Sequence, residues 1–207
     1  KKTRPRAPLT ADFPRTGVRR VTISLPSDET LFKIAWPAPA TSHPDFPAFL
    51  ILQALIGGSA GVNFNQNDWG TPVPRASPIY HAADGVKTWI IPTAESYAFV
   101  ISGGAPNSGD KQSAERVIQA AFDKIADGEF FRDAPADPNA REQIAAQVID
   151  LIKEHVLAAL ALDIETTEDA AHQLAYFAGI GAFEELLSLE TSIRAVTPNE
   201  VKAIARK

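Results

Sequence analysis

The sequence predicts an α+β fold, an antiparallel-rich sheet with helices packed on one face. Two features of its layout carry this. Segments with strand alternation occupy most of the first half, broken by one apolar helix, and the second half is helical throughout. At 207 residues, 45% hydrophobic and 22% charged, the chain has the composition of a globular protein and can bury a sizeable core. The expected division is an extended lead-in over residues 1–17 and one domain over 18–207.

The lead-in carries prolines at 5, 8 and 14 and reads as unpacked chain. VRRVTISL (18–25) alternates as a strand, with Val21, Ile23 and Leu25 on one face. TLFKIAW (30–36) is a second strand, setting Leu31, Lys33 and Ala35 opposite Phe32, Ile34 and Trp36, and stopped by prolines 37 and 39. SHPDFPAFLILQALIGG (42–58) reads as a helix capped by Ser42 or Asp45 and ended by Gly-Gly. It is apolar nearly all round, which predicts burial between layers.

Residues 57–80 read as a long loop, and a loop of that length in a compact domain is more often functional than idle. KTWIIP (87–92) and SYAFVIS (96–102) predict a hairpin. Helices follow at 111–126, with apolar Val117, Ala121 and Ile125, at 141–162, at 165–181 and at 183–196. In TPNEVKAIARK, Thr197 is the expected cap, Pro198 the first helical residue and Glu200 the capping-box partner.

Several chemistries are excluded or weakened by the residues themselves. Cysteine is absent, which removes disulfides, thiolate metal sites and cysteine nucleophiles. The net charge of −5 gives no footprint for nucleic acid, and the basic start KKTRPR reads as a solvated tail. No apolar run approaches the ~20 residues of a membrane span. There is no Gly-x-Ser-x-Gly elbow, and neither GGSAG (57–61) nor ISGGAPNSGDK (101–111) has phosphate-loop spacing.

LIKEH (151–155) matches only the last two letters of the zinc motif His-x-x-Glu-His, because Leu151 stands at the first histidine. With Ile144, Val148, Leu151 and Ile152, His155 falls on or beside the expected core stripe of its helix, which predicts a packed or half-buried imidazole. His43, His81 and His172 each stand alone; His43 is expected to form a turn and His172 to lie at the surface. In the long loop, Phe64 and Trp69 are either peptide-contacting or tucked into the core. Arg75 and Tyr80 offer a cation and a phenol that could hold a peptide carbonyl or carboxylate.

Taken in order, four segments resemble one repeat domain of the insulinase/pitrilysin-type zinc metallopeptidases, which include the mitochondrial processing peptidase. They are LFKIAWPAPATSHPDFPAFLILQALIGG, YAFVISGGA, ETTEDAAHQLAYFAGIG and AVTPNEVKAIARK. In that family the first helix of the catalytic domain type carries His-x-x-Glu-His. Those positions fall here on Phe49, Leu52 and Gln53, so LIKEH lies on a later helix and is not the zinc motif.

The resemblance therefore implies a non-catalytic domain without metal ligands. It would clasp peptide beside a homologous zinc-bearing half, in the same polypeptide or a separate subunit, with Arg75 and Tyr80 as substrate-binding residues. It also implies a periplasmic or other bacterial-envelope location. A structural domain that only mediates association is the alternative expectation. A third is an enzyme whose metal ligands come from scattered positions. The chain begins at Lys1, and an excised or processed domain is expected.

Overall fold

The computed structural model describes residues 17–24, 26, 30–57, 71–75, 77–105, 111–130 and 135–207. The expected lead-in and the loop aromatics Phe64 and Trp69 lie outside these residues, apart from Gly17. Four strands, β1 (Thr30–Ala38), β2 (Thr71–Pro72), β3 (Asp84–Trp89) and β4 (Tyr97–Ala105), form one sheet in the order β1-β4-β3-β2. Every neighbouring pair is antiparallel. Six helices complete the fold: α1 (Phe46–Gly57), α2 (Lys111–Ala126), α3 (Pro138–Leu162), α4 (Thr167–Ile180), α5 (Phe183–Ala195) and α6 (Pro198–Ala205).

β1 continues through Pro37, which pairs with Ala98. The proline is tolerated because β1 is an edge strand, bonded on one side only among the described residues. The expected alternation holds. Leu31, Lys33 and Ala35 are exposed, whereas Phe32, Ile34 and Trp36 turn toward the helices and are half-buried. Opposite them, Phe99 and Ile101 of β4 and Val86 and Thr88 of β3 are buried. Trp36 packs on Phe99 and on Phe122 of α2 with ring centroids 6.2 and 5.2 Å apart. Phe49 of α1 meets the edge of Phe99 at 5.7 Å.

α1 is the centre of the core. Eleven of its residues are buried, all but Pro47, as its all-round apolarity requires. It packs against β3, α3, α5 and α6. The helix starts at Phe46 rather than Ser42. His43 N donates to the Ala40 carbonyl at 3.0 Å and Asp45 N to His43 Nδ1 at 3.1 Å, so residues 40–45 are turn. The Asp45 carbonyl accepts from Phe49 N at 2.9 Å, which makes Asp45 the cap residue; its carboxylate pairs with Lys207.

Three expectations are corrected. The segment 18–24 is not a strand: Val18, Val21 and Ile23 are 69–77% exposed. Alternation makes a strand only where a neighbouring edge and an apolar layer are there to receive it. Here the described tie is Arg20 to Glu115 of α2, at 2.6 Å. On α3 the buried residues are Ala145, Ile149 and Val156, and Leu151 is 56% exposed. The core stripe is thus rotated by about one residue from the expected one. α3 is apolar over a wide arc, so periodicity allows two adjacent stripes, and packing against α1 and α5 selects between them. α2 shows the same slip: Ala121 and Ile125 are buried as expected, but Ile118 is buried in place of Val117.

The helix ends follow the capping chemistry. Asp137 caps α3 through Asn139 N and Ala140 N, and Thr166 caps α4 through Asp169 N. Gly181, at φ 77°, closes α4 in the left-handed conformation. Thr197 and Glu200 form the full capping box of α6, with Pro198 in the first turn.

Candidate functional site

The three positions on which the resemblance sets the His-x-x-Glu-His motif, two of them ligand positions and the middle one that of the general base, lie in the interior of this protein. Phe49, Leu52 and Gln53 are 7%, 3% and 0% exposed. Phe49 packs on Phe99, and Gln53 Nε2 donates to the Thr88 hydroxyl of β3 at 3.2 Å. A catalytic zinc needs three protein ligands and an open position for water. Two apolar side chains and one buried amide do not fit that ion.

The Gly-Gly corner has a structural reason at the same point. A Cβ on Gly57 would stand 2.3 Å from Thr88 Oγ1. Glycine there lets the last turn of α1 approach β3 closely enough for the Gln53–Thr88 hydrogen bond.

The segment after β2 is stapled to the end of the same helix. The Ser77 hydroxyl donates to the Ile56 carbonyl and accepts from Ile79 N at 3.2 Å. It thereby satisfies one of the unpaired carbonyls that end α1. Val73, Ile79 and Ala82 are buried and hold the segment on the core. Arg75 is exposed beside this staple. Tyr80 begins a single 3-10 turn, half-buried against the core, with its ring edge-on to His81 at 4.9 Å. Both expected substrate-binding residues thus belong to one anchored segment, with the arginine facing outward.

The remaining sequence candidates are dispersed. His155 is exposed, not packed on the core. Glu154 accepts from Arg194 Nη1 at 2.9 Å, and Arg194 Nε reaches Glu190 at 3.0 Å, so LIKEH contributes a bridge between α3 and α5. His43 shapes the turn before α1, and His172 is exposed on α4. Among the described residues, no three His, Cys, Asp or Glu side chains are grouped to hold a metal ion. No described helix is long and apolar enough to cross a membrane.

Sequence reasoning missed Thr88 and Gly57, which pack against Gln53, and Ser77, which ties the following segment to the end of α1. The signals, a Gly-Gly pair and two hydroxyl residues, are weak until the chain brings together residues 21–35 apart.

No family model matches the chain, and no curated protein matches it in sequence. Solved structures do match. A protease from Helicobacter pylori superposes with a TM-score of 0.64 at 14% identity, over 87% of this chain and 38% of that one. A candidate zinc protease from Bordetella pertussis Tohama I gives 0.60 at 13% identity, over 87% of each chain. The inactive peptidase domain of a candidate zinc protease from Bordetella parapertussis gives 0.60 at 13%, over 84% of this chain and 81% of that one. The protein therefore has the fold of zinc-protease domains, as the resemblance implied. The chain spans about two fifths of the length of the Helicobacter pylori protease.

Proposed function

We propose that this chain is a non-catalytic, peptide-holding domain that works beside a zinc-bearing domain of the same fold. The observation that carries the reading is the burial of Phe49, Leu52 and Gln53, on which the family resemblance sets the zinc motif. The likeness to an inactive peptidase domain supports it. Zinc belongs to the partner domain in this reading, and the bacterial envelope is the proposed location.

Peptide is held in two ways. β1 is an edge strand whose outer side is unpaired among the described residues, and strand addition grips an extended chain with little regard to sequence. Arg75 and Tyr80, fixed by the Ser77 staple, add side-chain contacts to a peptide carbonyl or carboxylate.

A second reading, a domain that only mediates association, is favoured by one observation. Leu151, Leu162, Leu174, Phe183 and Leu187 on α3, α4 and α5 are 38–68% exposed. The two readings separate in a binding experiment with a labelled extended peptide. Peptide holding predicts saturable binding, weakened about two- to fivefold by Arg75→Ala, the loss of one exposed charged contact. Absence of peptide binding leaves the association reading in its place.

A further inference from the structure

The strand register creates a feature on the open face of the sheet that the filled ligand position does not involve. β4 runs between β1 and β3, and its outward residues are small: Gly104, Ser102 and Val100. Each lies between two flanking residues. Gly104 stands between Leu31 and Asp84, Ser102 between Lys33 and Lys87, and Val100 between Ala35 and Trp89. Opposed residues on paired strands point to the same face. At the Gly104 and Ser102 rows the low centre and taller flanks make a trough along β4, with a concavity of about 570 Å³ around Lys33, Lys87, Ser102 and Gly104.

The trough has a chemical polarity. Its middle row carries two ammonium groups on either side of a hydroxyl. Lys33 and Lys87 are both exposed, and neither forms an ion pair among the described residues. Two strand spacings set their backbones about 9.5 Å apart, so an anion over Ser102 is within reach of both four-carbon stems. Asp84, one row away at the Gly104 end, confines the favourable position for an anion to the Ser102 row. At the other end Trp89 stands edge-on to the half-exposed Tyr97 at 6.1 Å, offering apolar surface. The chain as a whole carries −5, so this row is a local positive spot on an acidic protein.

We infer that this trough binds an extended peptide segment through an acidic side chain, whose carboxylate sits over Ser102 between Lys33 and Lys87. An extended segment fits the straight, shallow floor. A carboxylate fits the row, because it accepts from two ammonium groups and one hydroxyl at once. The inference rests on the peptide-holding reading above and adds to it a preference for acidic peptide.

The test uses two fluorescein-labelled dodecapeptides of one sequence, with Glu at alternate positions in the first and Gln at the same positions in the second. Binding to the full chain is followed by fluorescence anisotropy at low and at high salt. The Glu peptide is expected to bind about tenfold more tightly at low salt, and the preference shrinks as salt screens the exposed charges. Lys33→Gln with Lys87→Gln abolishes the preference. A control with the same charge change outside the trough, Arg19→Gln with Lys124→Gln, keeps most of it. Circular dichroism confirms that each variant is folded.

Equal binding of both peptides overturns this inference and leaves the peptide-holding reading intact. So does a preference that survives in the trough variant, or one that the control removes equally. Failure of both peptides to bind overturns the two together.

Discussion

Gly57→Ala tests the closed ligand position directly. The new methyl carbon would stand 2.3 Å from Thr88 Oγ1 and 3.3 Å from both Gln53 Nε2 and Thr88 Cβ. Thr88 and Gln53 are both fully buried, so neither can swing into solvent. Relief requires the helix and strand to part or the threonine to rotate, and either move breaks the 3.2 Å Gln53–Thr88 hydrogen bond. Overpacking costs about 1–3 kcal/mol, and breaking this buried hydrogen bond costs about 1–3 kcal/mol. Alanine's better helix propensity returns about 1 kcal/mol or less at the last residue of a helix. The net is a loss of about 2–4 kcal/mol, which lowers the melting temperature of a chain this size by roughly 5–12 °C. Thermal unfolding followed by circular dichroism reads this. Gly57→Ala with Thr88→Ala should cost less than the sum of the two single losses, because the colliding hydroxyl is gone and the Gln53 hydrogen bond, lost in each single variant, is lost only once. A Gly57→Ala protein melting within a degree of wild type would refute the packing argument. So would a double variant no better than the sum of its parts.

Two further outcomes follow from the helices. Thr197→Ala removes half of the α6 capping box and should cost about 1 kcal/mol, measured by urea unfolding. The loss should fall on the packing of α6, whose Val201 and Ile204 are buried, and an unchanged midpoint would contradict the role of the cap. The second concerns Tyr176 of α4, which donates to the Pro92 carbonyl in the β3–β4 connection. Burial raises the Tyr176 pKa above its ordinary value of about 10. Below that value the phenol is neutral in both folded and unfolded chain, and its contribution to stability is fully present. As pH rises past about 10 the unfolded chain ionises first, so stability is lost until the folded pKa is passed. Tyr176→Phe should flatten that alkaline fall in a pH series of unfolding midpoints; an identical slope in both proteins would remove Tyr176 from the account.

What could be read from the sequence was mostly local. Thr197, Pro198 and Glu200 are contiguous, and their capping geometry depends on nothing else in the chain. The burial of α1 was legible because twelve residues without a polar face can sit nowhere but between layers. The core stripe of α3 was not, because its apolar residues span too wide an arc for periodicity to fix one face. The false strand at 18–24 shows the same limit from the other side, with the pattern present but no partner for it.

The candidate site divides along the same line. Phe49, Leu52 and Gln53 could be named from the sequence once the family resemblance placed the ligand positions. Their closure by Thr88 and Gly57, and the row Lys33–Ser102–Lys87, depend on which residues the sheet register sets side by side. Register is a tertiary property, and residues 15–69 apart in the chain give no local sign of it.

The central claim is that this domain holds no catalytic metal, and the most direct measurement of it is zinc content. The purified chain would be dialysed against zinc, then against metal-free buffer, and analysed for bound metal. The buried Phe49, Leu52 and Gln53 predict protein without bound zinc, unchanged by His155→Ala. One equivalent of zinc per chain, lost on chelation, would contradict the account and return attention to the scattered histidines.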